Sequence, residues 1–268
     1  MPLQPAFRSD GLFASARSTA GLILPHAAAI AGRLADLIYP PVCAGCGIRN
    51  GSHRALCPSC WATMRFVERP YCEVLGLPFS HDPGPGFLSA QAIADPPVFD
   101  RLRSVALYEG VARQLVQSLK YRDRTELAAM MALWMVRVGG GHVAACDGIL
   151  PVPLHPARFL KRRFNQSAEL SRQMAELAGR PHLPGALVRR KRTAQQVGLS
   201  ARARLENVRA AFNIAEGHED EVFGKRLVLV DDVFTTGATV SSATRALKRA
   251  GAADVTVLTF AMAVSTTI

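Results

Sequence analysis

From residue 98 onward, short apolar runs alternate with segments whose apolar residues recur every three or four positions. "SVALY" (104–108) predicts a strand, and Val111–Tyr121 a helix. "RTELAAMMALWMVRV" (124–138) predicts a strongly apolar helix, and "GILPVP" (148–153) a short buried strand. Asn165–Leu177 reads as a helix, "RLVLV" (226–230) as a buried strand, Ala238–Ala250 as a helix and "DVTVLTFAM" (254–262) as a strand. Strands alternating with helices predict an α/β domain over residues 98–268, a parallel sheet with helices on both faces. "GGGH" (139–142) reads only as a flexible connection, and no internal repeat is evident.

The chain before residue 98 follows no single period. Residues 1–25 are expected to form a disordered lead, and residues 26–66 a helix followed by a cysteine module. The helix, His26–Ile38, would carry Ala27, Ile30, Leu34, Leu37 and Ile38 on its apolar face and stop at "YPP". Arg8 and Arg17 ahead of "AGLILPHAAAIAG" also fit a signal peptide. Residues 67–97, rich in Pro and Gly, are expected to link the two parts or to form a hood over the second. No charge-free run of about 18 apolar residues occurs, so no membrane insertion is expected.

Composition narrows the partners. The chain has 268 residues with a formal charge of +11 from 32 basic and 21 acidic side chains. Such a balance favours polyanions (nucleic acid, nucleotides or sugar phosphates) without choosing among them.

The sharpest chemical signal follows the strand "RLVLV". Its apolar residues suit a central parallel strand buried on both faces. At its carboxyl end, where ligands bind in such sheets, stand Asp231 and Asp232. Then come Thr235, Thr236, Gly237, Ala238 and Thr239, opening a helix. A turn entering a helix offers free N–H groups and the positive end of the helix dipole to a phosphate. Gly237 permits close backbone approach. The threonines add hydroxyls, and the carboxylates can accept hydrogen bonds from a sugar diol. An acidic helix cap alone would not need two acids and three threonines.

"LVLVDDVFTTGAT" resembles the phosphoribosyl pyrophosphate (PRPP) motif of type I phosphoribosyltransferases at every position. The resemblance implies that Asp231 and Asp232, as the catalytic candidates, contact the ribose hydroxyls, and that Thr235 to Thr239 hold the 5′-phosphate. It implies PRPP with Mg²⁺ as ligand.

"LPVPLHPARFLKRRFNQ" (150–166) follows another buried strand. In the resembling fold the loop there binds pyrophosphate, which makes Pro153, Leu154, His155, Arg158, Arg162 and Arg163 candidates. A solvated basic edge is the alternative reading. "RRKRTAQQVGLSARARLENVRAAF" (189–212), with Arg192 and Arg204, is strongly basic. It looks similar to the flexible loop of amidophosphoribosyltransferases, a lid over a polyphosphate; a nucleic-acid patch fits as well. The third basic stretch, "LKYRDR" (119–124), suggests no particular role.

Cys43-x2-Cys46 and Cys57-x2-Cys60 can chelate opposite sides of a tetrahedral ion, the pattern of a structural zinc site. An iron–sulfur or redox role is the alternative. His53 could compete as a ligand, but four cysteines suffice. Thiolate metal sites fit a reducing cytoplasm better than a disulfide framework does. Cys72 lacks a partner at Leu75, so no second metal site is expected, and Cys146 reads as a buried apolar thiol.

A four-cysteine knuckle ahead of such a domain resembles the ComF family (competence protein F, GntX-like) over roughly residues 34–262. "YPPVCAGCG", "FDRLRSVALYEGVARQLVQSLKYRDR", "PVPLHPARFLKRRFNQS", "QQVGLSARARLENVRAAF" and "VLVDDVFTTGATV" carry the likeness in order. The resemblance implies a link to natural transformation, with single-stranded DNA and DNA-uptake proteins as partners. Two functions follow as expectations: phosphoribosyl transfer to a nitrogen acceptor, or a non-catalytic adaptor for nucleotides or DNA. The chain departs from relatives at Arg163, where they carry glycine, and at the second cysteine pair.

Overall fold

The structure is a computed structural model and describes residues 39–121, 124–154, 165–189 and 211–264. The expected helix over residues 26–38 lies outside the described residues. Val42 onward forms a single unit.

Two short helices come first, α1 (Pro58–Ala62) and α2 (Ala90–Ala94). The α/β part then runs β1 (Arg101–Leu107), α3 (Gly110–Tyr121), α4 (Leu127–Ala144), β2 (Gly148–Pro151) and α5 (Gln166–Ala178). A short antiparallel pair follows, β3 (Leu187–Arg189) with β4 (Phe212–Ile214). The chain ends on β5 (Arg226–Phe234), α6 (Ala238–Arg249) and β6 (Asp254–Met262). The main sheet is parallel in the order β1-β6-β5-β2. The expected strands and helices are thus present, and the sheet is parallel as the alternation predicts.

Why the central strands are apolar throughout is visible in the packing. Val228, Val230, Leu258 and Phe260 face a core built with α3, α4 and α5. Leu227, Leu229, Val255 and Val257 face a second core with Val240, Ala243 and Leu247 of α6. Alternate residues of one strand therefore supply two hydrophobic layers, and the buried hydroxyls of β6 and β1 are paired, Ser104 with Thr259 at 2.6 Å. Helix α4 is long and apolar enough to span a membrane. Here that surface packs on the sheet through Leu127, Ala128, Met131, Met135 and Val143.

"GGGH" is not a loose connection. It lies inside α4, with a kink at Gly140 (φ 46°, ψ −126°). A Cβ on Gly139 would sit 2.4 Å from Val143 Cγ2 and 2.8 Å from Leu258 Cδ1. The glycines serve close helix–sheet packing and a kink rather than a hinge between elements.

Residues 65–67 extend the sheet at its β1 edge. Phe66 bridges Ala106 antiparallel, Val67 N donates to Val105 O (2.9 Å), and Leu107 N donates to Arg65 O (2.8 Å). On either side of this segment the chain builds the same small motif twice. In the first copy Val42 bridges Arg49, Cys43 N donates to Ile48 O, and Gly47 N donates to Cys43 O. In the second Tyr71 bridges Pro78, Cys72 N donates to Leu77 O, and Gly76 N donates to Cys72 O. Each copy then runs into a five-residue helix, α1 or α2. The first copy packs with the core under α3–α5 and the second with the core under α6. A repeat that the side chains conceal is therefore present in the backbone, and its halves straddle the sheet edge.

Buried Arg103 of β1 ties the second copy down. Its guanidinium donates to Glu73 Oε2 (2.8 Å), to Glu73 O and to Leu102 O (both 2.9 Å), and lies 4.7 Å over the Tyr71 ring. Such a buried charge is tolerable because it is fully hydrogen-bonded and paired.

Candidate functional site

Asp231 and Asp232 lie near the carboxyl end of β5, and the turn that follows is held open by two local constraints. Gly237 adopts φ +73°, a conformation side-chain-bearing residues rarely take, and a Cβ there would lie 2.9 Å from the Phe234 ring. Its carbonyl accepts Ser241 N at 2.8 Å as α6 begins. Thr235, Thr236, Ala238 and Thr239 remain exposed at the helix N-terminus, where the Ala238 N–H donates to Thr236 Oγ1 at 3.5 Å.

Neighbouring elements position the two acids. Val152 N bonds Val230 O (2.9 Å), which fixes the end of β2 beside β5. Asn165 caps α5 by accepting from Ser167 N (3.1 Å), and its amide donates to Val152 O (3.3 Å). This brings Ser167 Oγ to 2.9 Å from Asp231 Oδ1, where it donates. Lys120, from the last turn of α3, places Nζ 2.9 Å from Asp232 Oδ2. Burial pushes the Asp231 carboxyl up to about 7, with the adjacent Asp232 charge adding to it. The Asp232 N–H, Ser167 and Lys120 oppose that rise without cancelling it. Near neutrality Asp231 therefore exchanges a proton, since adjacent buried carboxylates resist joint ionisation even with Lys120 beside them.

A cavity of about 240 Å³ gathers these groups: Tyr108, Lys120, Ser167, Asp231, Asp232 and Thr239 share its wall. Thr235, Pro153, Leu154 and Arg189 line it as well. Of the other sequence candidates, His155, Arg158, Arg162, Arg163, Arg192 and Arg204 lie outside the described residues. Lys120 and Ser167 were not expected in the site. Lys120 belongs to the basic stretch "LKYRDR", and Ser167 directly follows "FNQ"; only the fold reveals that both reach β5.

The second site is the cysteine cluster. The sulfurs of Cys43, Cys46, Cys57 and Cys60 all lie within 4.8 Å of one another, and Cys46 and Cys57 are 3.7 Å apart. Zinc–thiolate bonds of about 2.3 Å in a tetrahedron require sulfurs roughly 3.8 Å apart, so the donor set fits a structural zinc ion with no open position. Burial alone would raise the Cys43 thiol, but backbone N–H groups of Cys46, Cys57 and Gly45 outweigh it and hold the group at about 6. Burial and the other sulfurs push Cys60 up to about 12, so its proton leaves only to a metal. A Cβ on Gly45 would lie 3.1 Å from Cys60 Sγ and 3.1 Å from Val111 Cγ1. Glycine is what lets the knuckle close onto both its partner sulfur and α3.

Two outcomes are expected. Both tryptophans of the chain sit at the cysteine helix: Trp61 of α1 lies 4.8 Å from Phe66 and edge-on to Trp134 at 5.6 Å. Chelating the metal should therefore red-shift the intrinsic fluorescence and lower the melting temperature; unaltered emission would mean that α1 is held without metal. The second concerns Asp231. Its folded pKa lies above the unfolded value, so the native state binds more protons between about pH 4 and 7 and loses stability as pH rises. Asp231→Asn should melt close to the parent near pH 4, and several degrees above it by about pH 8. Thermal melts showing a constant difference across that range would contradict the assignment.

Comparison with known proteins agrees with this geometry. Residues 34–92 match a family described as double zinc ribbon domain, and residues 167–267 match the phosphoribosyl transferase domain. The DNA utilization protein YhgH of Salmonella typhimurium is 36% identical over 212 residues, covering 77% of this chain and 89% of the relative. Competence protein F of Haemophilus influenzae is 29% identical over 208 residues, covering 75% and 88%. Among solved structures, the glutamine PRPP amidotransferase from B. subtilis is similar at 22% identity and a TM-score of 0.35, over 53% of this chain and 30% of that one. A double zinc ribbon match ahead of a phosphoribosyl transferase match, together with relatives similar over most of their length, shows that the chain belongs to the ComF (competence protein F) family.

Proposed function

We propose that the chain binds PRPP with Mg²⁺ and transfers its phosphoribosyl group to a nitrogen acceptor. One observation carries the reading: two carboxylates and a threonine-rich helix N-terminus line the same cavity. Acids alone would suit a cation, and the turn alone any phosphate. Together they suit a sugar diol bearing a phosphate a few ångströms away.

In this reading Asp231 and Asp232 accept hydrogen bonds from the ribose hydroxyls. The turn from Thr235 to Thr239 holds the 5′-phosphate with backbone N–H groups and hydroxyls. Asp231 and Asp232 are the acidic groups that would hold Mg²⁺ bound with the pyrophosphate, where the ion would offset the ligand's charge. In the transfer the C1–oxygen bond to pyrophosphate breaks and a C1–nitrogen bond forms, through an oxocarbenium-like state. Catalysis then rests on positioning and on stabilising the departing pyrophosphate. Pro153 and Leu154 begin the loop assigned to that group, which would continue through His155, Arg158, Arg162 and Arg163. Arg192 and Arg204 belong to the segment assigned as a lid. Lys120, paired with Asp232, would hand that carboxylate over to the ribose hydroxyls when the ligand binds.

The names of the relatives favour a second reading, a cytoplasmic adaptor in DNA handling that uses its basic segments on single strands. It predicts an affinity for single-stranded DNA that falls steeply with salt. Neutralising Arg189, Arg190, Lys191 and Arg192 should abolish that affinity.

The enzyme reading is tested by thermal stabilisation. PRPP with Mg²⁺ should raise the melting temperature of the parent chain by several degrees, because a ligand that binds only the native state stabilises it by mass action. The pair Asp231→Asn with Asp232→Asn should remain folded and show no shift. An equal shift in that variant would overturn the assignment of the acids.

A further inference from the structure

A double zinc ribbon calls for two metal sites, and the repeated motif shows where the second would be. The knuckles superpose in sequence at an offset of 29: Cys43 corresponds to Cys72, and Cys46 to Leu75. The helices correspond at an offset of 32: Cys57 to Ser89, and Cys60 to Ala92. The hydrogen bonds support this pairing. Cys57 N donates to Cys43 Sγ at 3.2 Å, and Ser89 N donates to Cys72 Sγ at 3.3 Å. Trp61 N reaches Cys57 O just as Ile93 N reaches Ser89 O. Gly47 and Gly76 both take positive φ, +78° and +62°.

One sulfur, a leucine, a serine and an alanine cannot chelate zinc, and each of the four positions has acquired another task. Cys72 is fully buried, and its sulfur accepts from Leu75 N (3.4 Å) as well as Ser89 N. Leu75 and Ala92, 6% and 4% exposed, join the core that holds Val240 and Leu247 of α6. Ser89 caps α2, its hydroxyl accepting Ala92 N at 3.3 Å, whereas Cys57 makes no such side-chain cap on α1. A serine cap stabilises its helix, and a buried leucine stabilises the core it joins. Arg103 and the backbone contact of Gly76 against Leu102 O anchor the motif to β1, a support the first knuckle does not have at Gly47.

We propose that residues 71–94 are a zinc ribbon that has lost its metal and kept its fold, so that the chain binds one zinc ion at its first ribbon only. Packing, a helix cap and amide-to-sulfur hydrogen bonds replace the ion. The replacement also ties the ribbon to the ligand side of the sheet. Leu75, Leu77 and Gln91 share a pocket of about 310 Å³ with Phe234, Thr235 and Thr236, on the flank of the threonine turn. The second ribbon is thereby a metal-independent support for that turn, while the first depends on its ion.

The test is metal content per chain by mass spectrometry, joined to hydrogen exchange. The parent chain and Cys72→Ala should each hold one zinc. The triple variant Leu75→Cys, Ser89→Cys, Ala92→Cys should hold two, and its cobalt form should absorb about twice as strongly per chain. After chelation of the parent, amides of residues 43–62 should lose protection and those of residues 71–94 keep it. Two zinc ions in the parent, or loss of zinc in Cys72→Ala, would overturn the proposal. So would a folded triple variant that holds only one. If the triple variant fails to fold, the exchange experiment decides: joint loss of protection in both ribbons would overturn the proposal, and selective loss in the first would uphold it.

Discussion

The cleft depends on one constraint: a strand buried on both faces ends in two adjacent carboxylates. Burial fixes the apolar stretch Leu227–Val230 of β5, because its successive side chains alternate between two packed layers. It also makes the acids costly, since neighbouring charges in a poorly solvated place oppose each other. The surrounding structure answers that cost directly. Lys120 pairs with Asp232, and Ser167 donates to Asp231 while Asp231 retains a proton near neutrality. The acid pair is thus held between the last turn of α3, which carries Lys120, and the first turn of α5, which carries Ser167.

The ribbons solve a different problem. β1 is an edge strand, and an exposed edge invites pairing with other chains. Residues 65–67 cover part of it in antiparallel register, and the two ribbons clamp that cover from opposite faces. The aromatic cluster of Trp61, Phe66 and Trp134 joins the first ribbon to α4, while Arg103 joins the second to β1. The module is thus part of the architecture that holds the sheet rather than an appendage to it.

Much of this was legible in the residues. Strand and helix positions followed from apolar period, because β5 and β6 have no alternative to a buried sheet and α3, α5 and α6 are clearly amphipathic. The acid pair and turn were legible because few structural roles need that combination. What stayed hidden has physical causes. Lys120 and Ser167 lie in ordinary helical patterns, and their role arises only from long-range packing onto β5. "GGGH" looked like a break because glycine usually is one; here Leu258, more than a hundred residues away, makes the missing Cβ necessary. Of the second ribbon only the Cys72–Leu75 remnant was legible, because three of four ligand positions had changed identity, leaving a repeat of hydrogen bonds without a repeat of side chains.

The central claim is that the cleft at the end of β5 is a sugar-phosphate site. Isothermal titration of the zinc-loaded chain with PRPP and Mg²⁺ tests it most directly. Saturable binding in the micromolar range, lost when the sugar phosphate is replaced by pyrophosphate alone, is the predicted result. A folded, zinc-loaded chain that gives no heat with PRPP, or binds pyrophosphate equally well, would contradict the account.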